Sequence, residues 1–347
     1  MTRIDLGEST NIDLRHLARP ARAVTAHKTT PHRGRRTYAR RVTDITSTVR
    51  IDGGTFRMGS SEFYPDETPV HERAVAPFEL DLHPVTNEQF AAFVDATGYV
   101  TVAERPLDPA DFPGADPADL AAGGLVFTPT DGPVDLRDWR QWWRWGAGAS
   151  WRHPFGPGSS VDDKATHPVV QVSFADASAY AAWAGKRLPT EAEFEFAARG
   201  GLDGARFAWG DEERPGGRLM VNRWQGSFPY RNTGAEGWVG TSPVMTFPAN
   251  GYGLFDVVGN VWEWTTDFYA PRHEVAGRVA VDPGARENLL ADASAEPGSR
   301  ISRRVLKGGS HLCSPEYCLR YRPAARSPQA DDTATTHIGF RCARDVS

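Results

Sequence analysis

Cysteine is scarce: three in 347 residues, an odd count too low for the disulfide framework that staples small secreted domains. No apolar run is long enough to span a bilayer. No charged-then-apolar leader precedes a small-residue cleavage site, so the expectation is a cytoplasmic protein with no membrane partner. Residues 1–47 stand apart: the stretch from Arg15 to Arg41 holds nine Lys/Arg, no acid and few large apolar side chains. Such a segment cannot bury enough surface to order itself, and we read it as a disordered basic N-terminal extension ahead of one domain over 48–347. Residues 1–45 carry ten Lys/Arg and four Asp/Glu, which leaves the remainder at −11 within a total of −5. No nucleic-acid partner is expected, and an acidic body suits a basic peptide.

What the chain does have is glycine (34), proline (26) and tryptophan (11), the composition of a loop-rich fold held by aromatic packing. Two of the cysteines, Cys313 and Cys318, stand five residues apart among Gly, aromatic and Arg residues. On a flat strand they would point to opposite faces. They converge only if Ser314-Pro315-Glu316 bends the chain, a bend that proline favours. Converging thiols have three uses: a disulfide, a soft-metal site, or redox chemistry in which one thiol is attacked and the other resolves. Two thiolates suit Cu(I) better than tetrahedral zinc; His311 offers a third zinc ligand, and nothing nearby offers a fourth.

The order of elements reads as α+β. Strands are expected in 51–59 and 78–82, and Thr86 with Gln89 forms a capping box for a helix stopped by Gly98. The region 99–165 is rich in Pro, Gly and Asp and crowds Trp139, Trp142, Trp143, Trp145 and Trp151, which pack a loop onto the body or stack a ligand. Residues 167–173 read as a strand leading into Ser173, the cap of a short helix through Trp183. Thr190 and Glu193 cap the next helix, which ends at Gly200; Glu191, Glu193 and Glu195 there serve its dipole and backbone rather than acid–base work. Two later loops offer oxygen atoms. Asn222-Arg223 with Glu236 and Trp238 is one; Asp256, Gly259, Val261 and Glu263 form the other. Each is a loop with acids or a Ca2+ site, since calcium accepts flexible oxygen ligation.

Gly308-Gly309-Ser310, Cys313, Tyr317-Cys318, Arg320-Tyr321-Arg322, Ala324-Ala325-Arg326 and the terminal Gly339-Phe340-Arg341-Cys342 closely resemble formylglycine-generating enzymes, the sulfatase-modifying factor family. The resemblance runs over roughly 51–344 and includes Arg187-Leu-Pro-Thr-Glu-Ala-Glu193 and Gly259-Asn-Val-Trp-Glu-Trp264. Related domains without catalytic cysteines share the last motif, so the cysteine pair discriminates. The resemblance implies a single compact, loop-rich fold related to C-type lectin-like domains. It implies oxidation of a cysteine in the Cys-x-Pro-x-Arg motif of an unfolded or nascent sulfatase to Cα-formylglycine, with O2 and with Cu(I) on Cys313 and Cys318. Ser310, Tyr317 and Arg320 would line the oxygen and substrate pocket, with Trp262 as an aromatic wall. Two structural Ca2+ ions would sit on Asn222, Glu236 and the carbonyls of Arg223 and Trp238, and on Asp256, Glu263 and the carbonyls of Gly259 and Val261. The protein would act as a monomer. The chain departs from the family at Ser314, where a His is frequent, and at Cys342, whose partner position around 180–182 holds no cysteine, leaving a free thiol. Two rivals are a non-haem iron sulfoxide synthase, which needs a helical partner with a His cluster, and a lectin-like binding module, which needs neither cysteine.

Overall fold

A computed structural model describes residues 47–109, 120–273 and 283–346. The basic extension therefore lies outside the described residues, apart from Ser47, whose carbonyl accepts the Leu82 N–H at 3.2 Å. Strands β1 (Thr48–Ile51), β2 (Gly54–Met58), β3 (His71–Val75) and β4 (Phe78–Asp81) open the body. They are followed by helix α1 (Asn87–Thr97), the β5 (Gly123–Phe127) and β6 (Trp143–Ala147) pair, and helices α2 (Phe174–Trp183) and α3 (Glu191–Arg199). Next come β7 (Trp262–Phe268), α4 (Pro283–Ser294), β8 (Arg303–Lys307), β9 (Arg326–Ala330), β10 (Ile338–Gly339) and β11 (Ala343–Asp345).

Local signals set the helices. Thr86, Ser173 and Thr190 each close a capping box with the residue three on, and Gly98 and Gly200 end α1 and α3 at positive φ (67° and 58°). Phe90 and Phe93 of α1 and Tyr180 of α2 are buried and pack edge-on or stacked with one another and with Phe340. Burial of each such aromatic stabilises by roughly 1.5–3 kcal/mol.

Pairing is mostly non-local. One sheet has the order β1-β4-β11, so both ends of the body meet on β4. The second has the order β10-β7-β8-β9, antiparallel except for the parallel β10–β7 pair. Residues 167–173 are buried and extended but form no strand. Pro168 has no N–H, Gln171 turns to positive φ (59°), and the N–H groups of Val169 and Gln171 bond singly to Val85 and Thr335. The region 99–165 contributes the β5–β6 hairpin, and three of its five tryptophans are packed into the interior, with Trp139 and Trp145 partly buried. Trp142 and Trp151 are about 1% exposed and Trp143 is buried, in contact with Phe127 and His337.

Candidate active site

Both cysteines of the pair lie in the loop 308–325, which joins β8 to β9, whose facing ends Lys307 and Arg326 are register partners. A long connection between two paired strands is a place where function is carried. Helix α3 fastens both of its ends. Glu195 takes Lys307 Nζ at 2.9 Å, and Glu191 takes Arg326 at 2.7 and 2.9 Å. Burial pushes the Glu195 carboxyl up, but Lys307 and Arg199 outweigh it and hold the pKa down to about 2. Glu193 caps Thr190 and pairs with Arg187. Glu193 thus serves the cap, as expected from the sequence, whereas Glu191 and Glu195 are held in buried ion pairs that the sequence reading did not foresee.

Within the loop, Gly308 and Gly309 sit at φ 92° and 74°, and a Cβ on Gly309 would lie 2.5 Å from the Arg320 carbonyl oxygen. The loop can fold back on itself only without that carbon. Ser310 O accepts the Cys313 N–H at 2.9 Å, and Ser314 O accepts those of Tyr317 at 3.0 Å and Cys318 at 2.6 Å. This turn at 314–318 brings the two sulfurs to 3.2 Å, as unbonded thiols. Burial, then the hydrogen bond to Cys318, push the Cys313 thiol well above its usual range. The bond from Cys313, with Arg320 beside it, pulls Cys318 below its usual value. The pair thus holds a neutral thiol donating to a neighbour that ionises readily.

Ser310 is fully buried; its N–H points to Cys313 Sγ at 3.4 Å and its Oγ accepts the Leu312 N–H. Ser314 Oγ is buried without a hydrogen-bond partner. The Tyr317 ring stacks on Phe228 at 4.7 Å and meets Trp142 edge-on, inside a second apolar cluster with Trp143, Trp224 and Leu312. Arg320 lies over the Tyr64 ring at 4.2 Å and 3.6 Å from Asp66. Trp262 is 5% exposed on β7 and belongs to the main core, as Cys313 does. The other thiol, Cys342, is fully buried, is unbonded and gives its N–H to Asp81. His311 is turned away from the sulfurs, its Nδ1 donating to the Asn260 carbonyl at 2.8 Å. Among the described residues no group of three or more His, Cys, Asp or Glu side chains is arranged for a metal, so the zinc alternative lacks ligands there. A converging pair of soft donors, one buried and one partly exposed, fits Cu(I).

The two oxygen-bearing loops buttress the thiol loop. Gly259 N–H donates to Gly308 O, His311 N–H to Asn260 O, and Trp224 N–H to Cys313 O. Asp256 is buried at positive φ (51°), and burial raises its pKa to about 6. Among the described residues it has hydrogen bonds from Met245 N–H and the Asn260 amide but no ion pair. A buried carboxylate with no direct ion pair, whose nearby charge is Arg341, fits a hard cation. Both oxygens of Glu263 are already taken by Arg341 at 2.8 Å. In the first loop, Asn222 and Arg223 are buried, while Glu236 (φ 50°) and Trp238 are exposed. The Asn222 amide bonds Gly240 O at 3.0 Å, which ties that loop to Asn222.

A segment that the sequence reading passed over, 63–67, also reaches the site. Glu67 pairs with Arg322, both fully buried, and the Tyr64 hydroxyl accepts the Leu319 N–H at 3.0 Å. Burial, then the charge on Cys318, push the Tyr64 pKa up to about 12. The available signal was the adjacent acids Asp66 and Glu67, equal in number and opposite in charge to Arg320 and Arg322. A cavity of about 490 Å³ lies against Phe63 and Arg322, and its arginines Arg57, Arg199, Arg206 and Arg322 are each paired with a carboxylate.

Comparison with known proteins places the chain in a family. A family model described as "Sulfatase-modifying factor enzyme 1-like domain" matches residues 35–346. The chain is 62% identical over 301 residues to the formylglycine-generating enzyme of Mycobacterium tuberculosis, an alignment covering 87% of this chain and 98% of that protein. It is 47% identical over 308 residues to the formylglycine-generating enzyme of Streptomyces coelicolor, with 86% and 89% covered. It is also 40% identical over 300 residues to a Bos taurus protein named inactive C-alpha-formylglycine-generating enzyme 2, with 85% and 87% covered. Among solved structures, PvdO from Pseudomonas aeruginosa superposes with a TM-score of 0.55 at 25% identity, covering 86% of this chain and 94% of that one.

Proposed function

The chain belongs to the sulfatase-modifying factor enzyme 1-like family, and from that premise we propose that it is a copper-dependent, O2-using formylglycine-generating enzyme. Oxidation of a sulfatase cysteine to formylglycine comes with the family and with identity as high as 62% to an enzyme of that name. The metal, the oxidant and the residue roles are the finer reading. An inactive relative at 40% identity means that the fold alone does not carry the activity. The observation that carries it is the pair of unbonded thiols 3.2 Å apart, Cys313 buried and Cys318 partly exposed.

Cys313 and Cys318 would hold Cu(I), which when bound supplies a soft centre able to engage both a third thiol and O2. The remaining work falls to the chain itself. Ser310 N–H, 3.4 Å from Cys313 Sγ, steadies negative charge on that sulfur. Arg320, neutralised in part by Asp66, does the same for Cys318. The Tyr317, Phe228 and Trp142 rings form a dry wall against which a peptide can be oriented. The substrate cysteine loses two electrons and two protons, one from Cβ and one from sulfur, with O2 as acceptor. The thioaldehyde so formed takes up water and releases hydrogen sulfide to leave the aldehyde. Trp262 would supply a further aromatic wall of the pocket, although it packs in the main core rather than in the cluster of Tyr317, Phe228 and Trp142. Two Ca2+ ions on the 222–238 and 256–263 loops would hold the scaffold on which the thiol loop rests. No helix among the described residues is long and apolar enough to cross a membrane, and we propose a cytoplasmic monomer acting on nascent sulfatase chains. The test is incubation of the protein and Cu(I) with a Cys-x-Pro-x-Arg peptide under air. A mass loss matching aldehyde in place of thiol supports the reading, and an unchanged peptide with copper shown to be bound overturns it.

A further inference from the structure

Cys318 is restrained on its N-terminal side by the local turn on Ser314 O. On its C-terminal side the next residue, Leu319, is fixed through both of its backbone polar groups. Its N–H donates to Tyr64 Oη at 3.0 Å, and its carbonyl accepts Arg322 Nε at 2.6 Å. Both partners trace to the short segment 63–67, more than 250 residues away in sequence. Arg322 lies over the Phe63 ring at 3.7 Å, and its remaining nitrogens donate to the buried Glu67. The Tyr64 ring lies under Arg320 at 4.2 Å. Of these contacts, only the Tyr64 hydroxyl reaches the peptide group that follows Cys318 from outside the thiol loop.

We propose that Tyr64 is a positioning residue for the thiol pair, fixing the peptide after Cys318 so that the two sulfurs are presented together to a soft third partner. This rests on the reading of Cys313 and Cys318 as the working thiols. The phenol oxygen accepts one neutral hydrogen bond, and without it the half-buried Leu319 N–H has no acceptor and the peptide is released to move. That disorder weakens by about tenfold any process that needs both sulfurs at once. Arg322 and Glu67, by contrast, are a fully buried pair whose loss would threaten folding itself.

The test is Tyr64→Phe, which keeps the ring under Arg320 and removes only the oxygen. Metal-free full-length protein is titrated with phenylarsine oxide, which binds only where two thiols act together, and kcat and KM are measured separately on the Cys-x-Pro-x-Arg peptide. The expected result is about tenfold weaker arsenical binding and a similar fall in kcat, with KM unchanged. Tyr99→Phe is the control, because it removes a comparable hydroxyl bonded to Asp176, far from the thiols in the sequence, and leaves arsenical binding intact. In Tyr64→Ala, added phenol restores arsenical binding in part, and toluene does not. Wild-type arsenical affinity in folded Tyr64→Phe, or an equal loss in Tyr99→Phe, overturns the proposal. If the wild type oxidises no peptide, the copper-oxidase reading fails and the arsenical comparison still decides the role of Tyr64.

Discussion

At the scale of single residues, the three thiols divide by surroundings rather than by type. Cys313 and Cys318 are hydrogen-bonded across 3.2 Å, while Cys342 lies apart from them, its N–H given to Asp81. Replacing either of the first two by Ser should abolish tight Cu(I) binding, because a hydroxyl is a hard and feeble donor to that ion. Turnover should fall by orders of magnitude, and Cys342→Ser should change neither property much. Copper titration and peptide oxidation on the three folded variants check this; near-normal copper affinity in Cys318→Ser would sink the two-thiolate site. Asp256 gives a second test, one in which the sign reverses with metal. Its folded pKa, about 6, stands above the ordinary value near 3.8, so ionisation destabilises the metal-free fold as pH rises through that window. At pH 7 the cost approaches about 3 kcal/mol. Asp256→Asn should therefore raise the melting temperature in chelator and lower it in calcium relative to wild type. The same sign in both conditions would remove calcium from this loop.

At the scale of elements, helix α3 and strand β8 are bound by buried charge. The Glu195 pKa is depressed to about 2 from about 4.5, so its contribution is complete above pH 4.5 and is lost as pH falls toward 2. That contribution is about 3 kcal/mol. Glu195→Gln leaves Lys307 with only the longer Glu191 contact at 3.8 Å and Arg199 with carbonyl partners alone, and breaking such buried pairs costs about 3–5 kcal/mol. Denaturant unfolding of this variant should show the full loss at neutral pH and a shrinking difference from wild type below pH 4.5. A constant difference down to pH 2 would mean that Glu195 is not the group that titrates. The helix ends themselves were readable from three capping boxes, because a cap is made by residues three apart. The β5–β6 hairpin was not, because the turn and tryptophan chemistry of 123–147 does not distinguish paired strands from a packed loop.

At the scale of the whole molecule, both ends of the body pair on β4, and Ser47 is the first residue seen to join that sheet. Removing residues 1–46 should leave peptide turnover largely intact, although the family match begins at residue 35. A folded, inactive truncation would make the extension part of the catalytic unit. Calcium chelation should lower the melting temperature without altering copper stoichiometry, since hard and soft sites use different donors. The sequence by itself determined the capped helices, the bend between the cysteines, the free state of Cys342 and the family, because each rests on a local pattern or a motif of contiguous residues. Only the tertiary structure decided which acids neutralise which arginines, that 167–173 is extended without being a strand, and that Tyr64 stands against Leu319. Those facts depend on side chains from distant parts of the chain meeting in a low-dielectric interior, where each buried charge or N–H must find a partner, and the order of residues does not say which one it finds.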